Sequence, residues 1–164
     1  VLSLSSLLVV GPASATTLDA QITPSRLGSL RISKTTLAEA KAQLGEPTKI
    51  KPLGDGCFAR MKRLSWGDDL KILFVYSEDH HVVHTPKVMA KQFPVANNDR
   101  WRVATARGLE VGDSMERMFE LYPNADNHGS GRTYTLIVKD EYKYLTATLD
   151  SSDRVKSLLA SESC

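Results

Sequence analysis

His80, His81 and His84 fall in one five-residue run, His80-His81-Val82-Val83-His84, and neutral imidazole is the commonest metal ligand among side chains. One ion needs its ligands to converge to about 2 Å from a common point. On a strand, His80 and His84 share a face but stand two pleats apart, roughly 13 Å at the usual rise, too far for one ion. On a helix the i, i+4 spacing would suit zinc, but the valine pair and the following Thr85-Pro86 favour extended or loop backbone. No cysteine or evident third ligand completes a set, so the run predicts an exposed loop and no metal site.

The carboxylates divide in the same way. Asp68-Asp69 and Asp150-Ser151-Ser152-Asp153 have the composition of acid pairs for hydrolysis, yet both fall where turns are expected, and Asp is a standard turn residue. Turn chemistry is the preferred reading. Arg60, Lys62 and Arg63 with Trp66 are the elements of an anion site, but a solvated strand face accounts for them equally well and is preferred. Gly129-Ser130-Gly131 lacks the strand-to-helix setting of a nucleophile elbow or phosphate loop and reads as a flexible connection. The sequence therefore assigns no catalytic residue, no cofactor and no enzyme class.

Cys57 and Cys164 take their meaning from the compartment, which the first residues address. Residues 1–10 form a charge-free apolar run, followed by Gly11-Pro12 and Ala13-Ser14-Ala15. That order of apolar region, helix breaker and small-x-small site predicts that residues 1–15 are the remnant of a signal peptide cleaved after Ala15. A hydrophobic first strand is the alternative. The run is shorter than the ~20 residues needed to span a bilayer. A secreted or periplasmic location follows, and in an oxidising compartment Cys57 and Cys164 allow one pairing. Such a bond would close a loop of more than 100 residues. Its worth is roughly 4 to 5 kcal/mol in the chain-entropy model. Nothing around Gly54-Asp55-Gly56-Cys57-Phe58 resembles the setting of a nucleophilic cysteine.

Composition sets the outer limits. The 164 residues are 41% hydrophobic and 24% charged, the profile of one ordinary globular domain or two small ones. A net charge of +2 is too small to indicate a nucleic-acid or membrane-surface protein by electrostatics alone.

The chain contains an internal repeat. Leu30-Arg31-Ile32 followed by Thr36-Leu37-Ala38-Glu39-Ala40-Lys41-Ala42-Gln43-Leu44-Gly45 matches Leu109-Glu110-Val111 followed by Ser114-Met115-Glu116-Arg117-Met118-Phe119-Glu120-Leu121-Tyr122-Pro123, with one extra residue in the first loop. In the first copy Thr36 and Glu39 have the capping-box spacing, and Leu37, Ala40 and Leu44 form an apolar stripe. In the second, Asp113 and Glu116 have that spacing one register earlier, and Met115, Met118, Phe119 and Tyr122 form the stripe. Helices this short need a sheet to pack on.

The strands that supply it are expected at 59–66 and 70–76 after the first helix, and at 132–139, 142–149 and 155–160 after the second. Between them 80–99, with Pro86, Pro94 and Asn97-Asn98, reads as an irregular connection around a weak strand, and 101–105 runs extended into the second copy. Alternation assigns Leu145, Ala147 and Leu149 to the core face, with Tyr142, Tyr144, Thr146 and Thr148 opposite; on the neighbouring strand it assigns Tyr134, Leu136 and Val138 to the core.

This tandem of helix and antiparallel sheet, entered through Leu30-Arg31-Ile32 and Leu109-Glu110-Val111-Gly112-Asp113-Ser114, resembles the superfamily of secreted beta-lactamase inhibitor proteins. Single-repeat relatives there include the small lipoprotein of the outer-membrane barrel-assembly machinery. The resemblance covers most of residues 27–160. It implies an α+β fold, one unit at 16–99 and a second at 100–164, whose sheets join into one concave surface that binds proteins. It transfers no contact residue to a numbered position.

The expected function is a secreted, non-catalytic protein-interaction module of inhibitor-like type, acting as a monomer on an extracellular or envelope protein, with no nucleic acid and no membrane span. Its anchors are expected at Tyr142 and Tyr144, with Trp66 and Trp101 as weaker ones, because exposed aromatic rings dominate interfaces. A small cell-envelope hydrolase or ligand-binding protein is the alternative.

Overall fold

A computed structural model of the chain describes residues 18–56, 59–77, 87–96, 101–127 and 131–162. The fold is α+β. In chain order the elements are β1 (Leu18–Thr23), β2 (Arg26–Leu27), β3 (Leu30–Arg31), α1 (Leu37–Leu44), β4 (Lys49–Gly56), β5 (Ala59–Trp66), β6 (Leu70–Ser77), β7 (Lys87–Val95), β8 (Trp101–Thr105), α2 (Met115–Leu121), β9 (Asp126–Asn127), β10 (Thr133–Asp140), β11 (Lys143–Leu149) and β12 (Val155–Glu162). A small sheet runs β3-β2-β1-β8, with β1 and β8 parallel. The large sheet has eight strands in the order β4-β5-β6-β7-β12-β11-β10-β9, every pair antiparallel.

The strand order of the large sheet is mirrored about the β7 and β12 seam. Each helix is followed by four strands of this sheet, and the last strand of the first set pairs with the last strand of the second, Leu158 opposite Val95 and Ala160 opposite Phe93. The segment expected to be an irregular connection around a weak strand thus supplies a nine-residue strand, β7, at the middle of the sheet. Lys49–Gly56 is a strand beyond expectation. Its Pro52 and Gly54 sit at a register shift on an edge strand, the position where a missing N–H costs least.

Alternation builds the core. Leu64 and Trp66 on β5, Leu70, Ile72 and Phe74 on β6, Leu145, Ala147 and Leu149 on β11, and Leu158 and Ala160 on β12 all point to one side and are buried. Against that side pack Ala40 and Leu44 of α1, Met118 of α2 with Tyr122 just after it, and Ile22, Leu27, Trp101 and Val103 of the small sheet. Leu37 and Met115 are half-buried against it. The two helix stripes therefore feed one continuous hydrophobic cluster, whereas the repeat predicts a separate core for each copy.

Local chemistry fixes both helices. Thr36 Oγ1 accepts from the Glu39 N–H, and the Glu39 carboxylate accepts from the Thr36 N–H across 2.7 Å, closing the expected capping box. That bonding holds the Glu39 pKa below its ordinary value. At α2 the N-cap is Ser114, one residue later than the Asp113 expectation. Asp113 is engaged elsewhere, accepting from the Glu110 N–H at 2.8 Å. α1 ends at Gly45, whose φ of 79° suits a residue without a Cβ.

Candidate functional site

Opposite residues on paired strands share a face, so the register defines the side of the large sheet turned away from the helices. One row of partners crosses seven strands: Lys51, Arg63, Leu73, the Gln92 position, Ser161, Tyr144 and Val138. Beside it Lys49, Ser65 and Lys71 stand in register on β4, β5 and β6, and Leu159, Thr146 and Thr135 on β12, β11 and β10. Thr133, Thr148 and Ser157 form a further row, with the two threonine hydroxyls 3.1 Å apart. Apart from Ser65, which is buried, these described side chains are exposed or half-buried.

Tyr144 stands at one end of this face, on the hairpin joining β10 and β11, two residues after Tyr142. Tyr142 lies in the turn itself, 53% exposed, and its N–H donates to Asp140 Oδ1 at 3.1 Å. That bond is the largest cause holding the Asp140 pKa below its ordinary value. Tyr144 is on β11, and its hydroxyl donates back to the Glu141 carbonyl, bracing the ring over the turn. Val138 stands directly across from it and is 58% exposed.

Val138 corrects the alternation drawn from the sequence, which placed it in the core. The β10 register shifts between Thr135 and Ile137, so that Ile137 faces Leu145 on the core side and Val138 faces Tyr144 on the other. A bulge exchanges the faces of every residue after it. The hairpin thereby gains an exposed aliphatic group beside its tyrosines.

Trp66 and Trp101 are corrected in the opposite sense. Both are buried, at 0% and 1% exposure, so neither ring is offered to a partner on the open face. Trp66 shares the side of Leu64 and Leu70, where its indole N–H donates to the Gly45 carbonyl at 2.8 Å. Trp101 lies in the small sheet, opposite Leu18 in the register. A tryptophan whose N–H has an internal partner is buried without an unmet donor, which composition alone does not reveal.

The remaining candidates sort as follows. Asp68 and Asp69 are in the β5 to β6 turn. Asp150 Oδ1 accepts from the Arg154 and Ser152 N–H groups, which hold its pKa below the ordinary value, so it organises a turn as its sequence setting suggests. The histidine run at 80–84, Cys57, Cys164, Gly129-Ser130 and the proposed signal remnant lie outside the described residues, as does the Arg60 side chain. Among the described residues, no group of three or more His, Cys, Asp or Glu side chains is placed to hold a metal ion. No helix among them is long and apolar enough to cross a membrane.

Sequence reasoning singled out Arg63 but missed the grouping of cations around it on the open face. Lys49, Lys51, Arg63 and Lys71 become neighbours only once Lys49–Gly56 is a strand paired with β5. The available signal was the alternation Lys49-Ile50-Lys51, interrupted at once by Pro52.

No protein-family model matches the chain, and no solved structure matches it. Over 94 residues, 56% of the chain, it is 29% identical to dynein axonemal heavy chain 1 of Mus musculus and, equally, of Rattus norvegicus. The chain spans about 2% of the length of these curated relatives, and at that identity and coverage the likeness assigns neither a family nor an activity.

Proposed function

We propose that this chain is an exported, non-catalytic protein-interaction module, similar in mode to the beta-lactamase inhibitor proteins, which binds through the open side of its large sheet. The two halves of the sheet would present that side as one concave surface. The observation that carries the reading is the row linking Arg63 to Val138, because it runs in register across the β7 and β12 seam without a buried break among the described side chains. Six strand gaps at about 4.8 Å extend the row from Lys51 to Val138 over about 29 Å. A standard protein interface takes about 800 Å² from each partner, a patch of comparable width.

Tyr142, Tyr144 and Val138 at one end supply the apolar anchors that such interfaces concentrate in a few residues. Crosslinking mass spectrometry on the native envelope and culture fluid identifies the partner. Tyr142→Ala and Tyr144→Ala then weaken the purified complex by about 2 kcal/mol or more with the fold intact. Unchanged binding in both variants overturns the reading. So does turnover of peptidoglycan or of an ester panel that a single acid substitution abolishes.

A further inference from the structure

The small net charge of the chain conceals a local imbalance. On the open side of β4, β5 and β6 the described side chains are Lys49, Lys51, Met61, Arg63, Ser65, Lys71 and Leu73, four cations and no carboxylate. The four are exposed, and none forms an ion pair with another described residue. Lys51 and Arg63 stand directly opposite one another, an arrangement that destabilises a sheet unless a counter-charge meets it. Edge protection by lysine explains Lys49 and Lys51, which are on the edge strand β4. It does not explain Arg63 and Lys71, which lie one and two strands further in.

The other half of the face has a different character. Across β12, β11 and β10 the register places Ser157, Leu159, Ser161, Tyr144, Thr146, Thr148, Thr133, Thr135 and Val138 on it, and none of these is a cation. A phosphate backbone laid across the whole face would meet cations on one half only. An anionic bilayer would press its charge equally on both. A protein surface can carry carboxylates at one end and apolar groups at the other.

We propose that the basic half of the face, Lys49, Lys51, Arg63 and Lys71, receives an acidic segment of a protein partner whose adjoining apolar side chains pack on Tyr144 and Val138. This rests on the docking-face reading above and adds the partner's chemistry. The attraction acts at short range through solvent, so salt weakens it.

The test uses the full chain and four probes: a glutamate-tyrosine copolymer, polyglutamate, duplex DNA and phosphatidylglycerol vesicles. The copolymer binds most tightly, and its affinity falls with added salt. Lys51→Glu combined with Arg63→Glu lowers that affinity about tenfold or more. Lys34→Glu combined with Lys62→Glu makes the same change in net charge at exposed positions off this face and leaves binding unaltered. Circular dichroism checks the fold, and Lys49→Gln with Lys71→Gln is a milder second pair with the same expected direction. Equal loss in the off-face pair, tighter binding of DNA or vesicles, or no binding of the copolymer overturns the proposal. Loss on Tyr144→Ala without loss in either cation pair overturns the acidic partner while leaving the docking face standing; loss in none of these variants removes both.

Discussion

The indole N–H of Trp66 donates to the carbonyl of Gly45 across 2.8 Å, tying the end of α1 to the end of β5. Thr48 strengthens the same corner, since its hydroxyl donates to the Ser65 carbonyl at 3.0 Å and accepts from the Gly67 N–H at 2.9 Å. Trp66→Phe keeps most of the apolar ring but leaves the Gly45 carbonyl without this donor and a small void beside it. The expected cost is about 2 kcal/mol, read as a lower urea midpoint with an unchanged slope. A change within error would mean that solvent replaces the bond freely.

Tyr122 presents the opposite situation. Its ring is buried at 2% exposure beneath the Arg107 guanidinium, 5.1 Å from the ring centroid, and its hydroxyl has no hydrogen-bond partner among the described residues. A buried hydroxyl without a partner loses its hydration and gains nothing in return. Tyr122→Phe removes the oxygen and retains the ring, so it should raise stability by about 1 kcal/mol. Thermal unfolding of the two proteins in parallel settles the sign, and a loss of stability would show that the hydroxyl is satisfied.

Much of this architecture was legible from short-range pattern. The Thr36 and Glu39 box, the β5 to β6 hairpin and the burial of Leu145, Ala147 and Leu149 each depend on residues within a few positions of one another. What escaped depends on distant partners. Lys49–Gly56, with Pro52 and two glycines, has a loop composition and becomes a strand because β5 pairs with it. β7 is extended because β6 and β12 flank it. Val138 changes face through a bulge that no alternation rule forecasts, and the tryptophans are buried by elements far away in the chain. Alternation within single strands singles out Tyr144 and Arg63, whereas the grouping of Lys49, Lys51 and Lys71 around Arg63 depends on the pairing of β4, β5 and β6.

The turn at Asp150 gives the pH dependence a definite sign. Backbone N–H groups of Arg154 and Ser152 hold its pKa below the ordinary 3.8, with Arg154 and Arg132 adding charge. A folded-state pKa lower than the unfolded one gives stability that is complete above the unfolded value and is lost as pH falls through the folded one. Asp140, Glu116 and Glu39 shift in the same direction. The melting temperature should accordingly hold level on descending to about pH 5 and fall below about pH 4, the range of ordinary carboxylates. Asp150→Asn should shallow that fall, and a slope unchanged by the substitution would remove Asp150 from the account.

The seam between β7 and β12 decides whether the two copies of the repeat behave as one folding unit. Leu158 is fully buried there, opposite Val95 on one side and Ala147 on the other, and a single hydrophobic cluster continues from it to both helices. No boundary in that cluster would let one half unfold while the other keeps its core. Trp66 lies on β5 of the large sheet and Trp101 on β8 of the small one, so Trp66→Phe leaves Trp101 as reporter for the small sheet, and Trp101→Phe leaves Trp66 for the large one. In each variant, urea unfolding followed by fluorescence should coincide with that followed by far-ultraviolet circular dichroism, the behaviour of one cooperative transition. Leu158→Ala should lower both midpoints together, by about 2 to 5 kcal/mol in stability. Separate transitions in either single-tryptophan protein would show that the seam is a contact between independent domains, and that the open face is not held rigid across it.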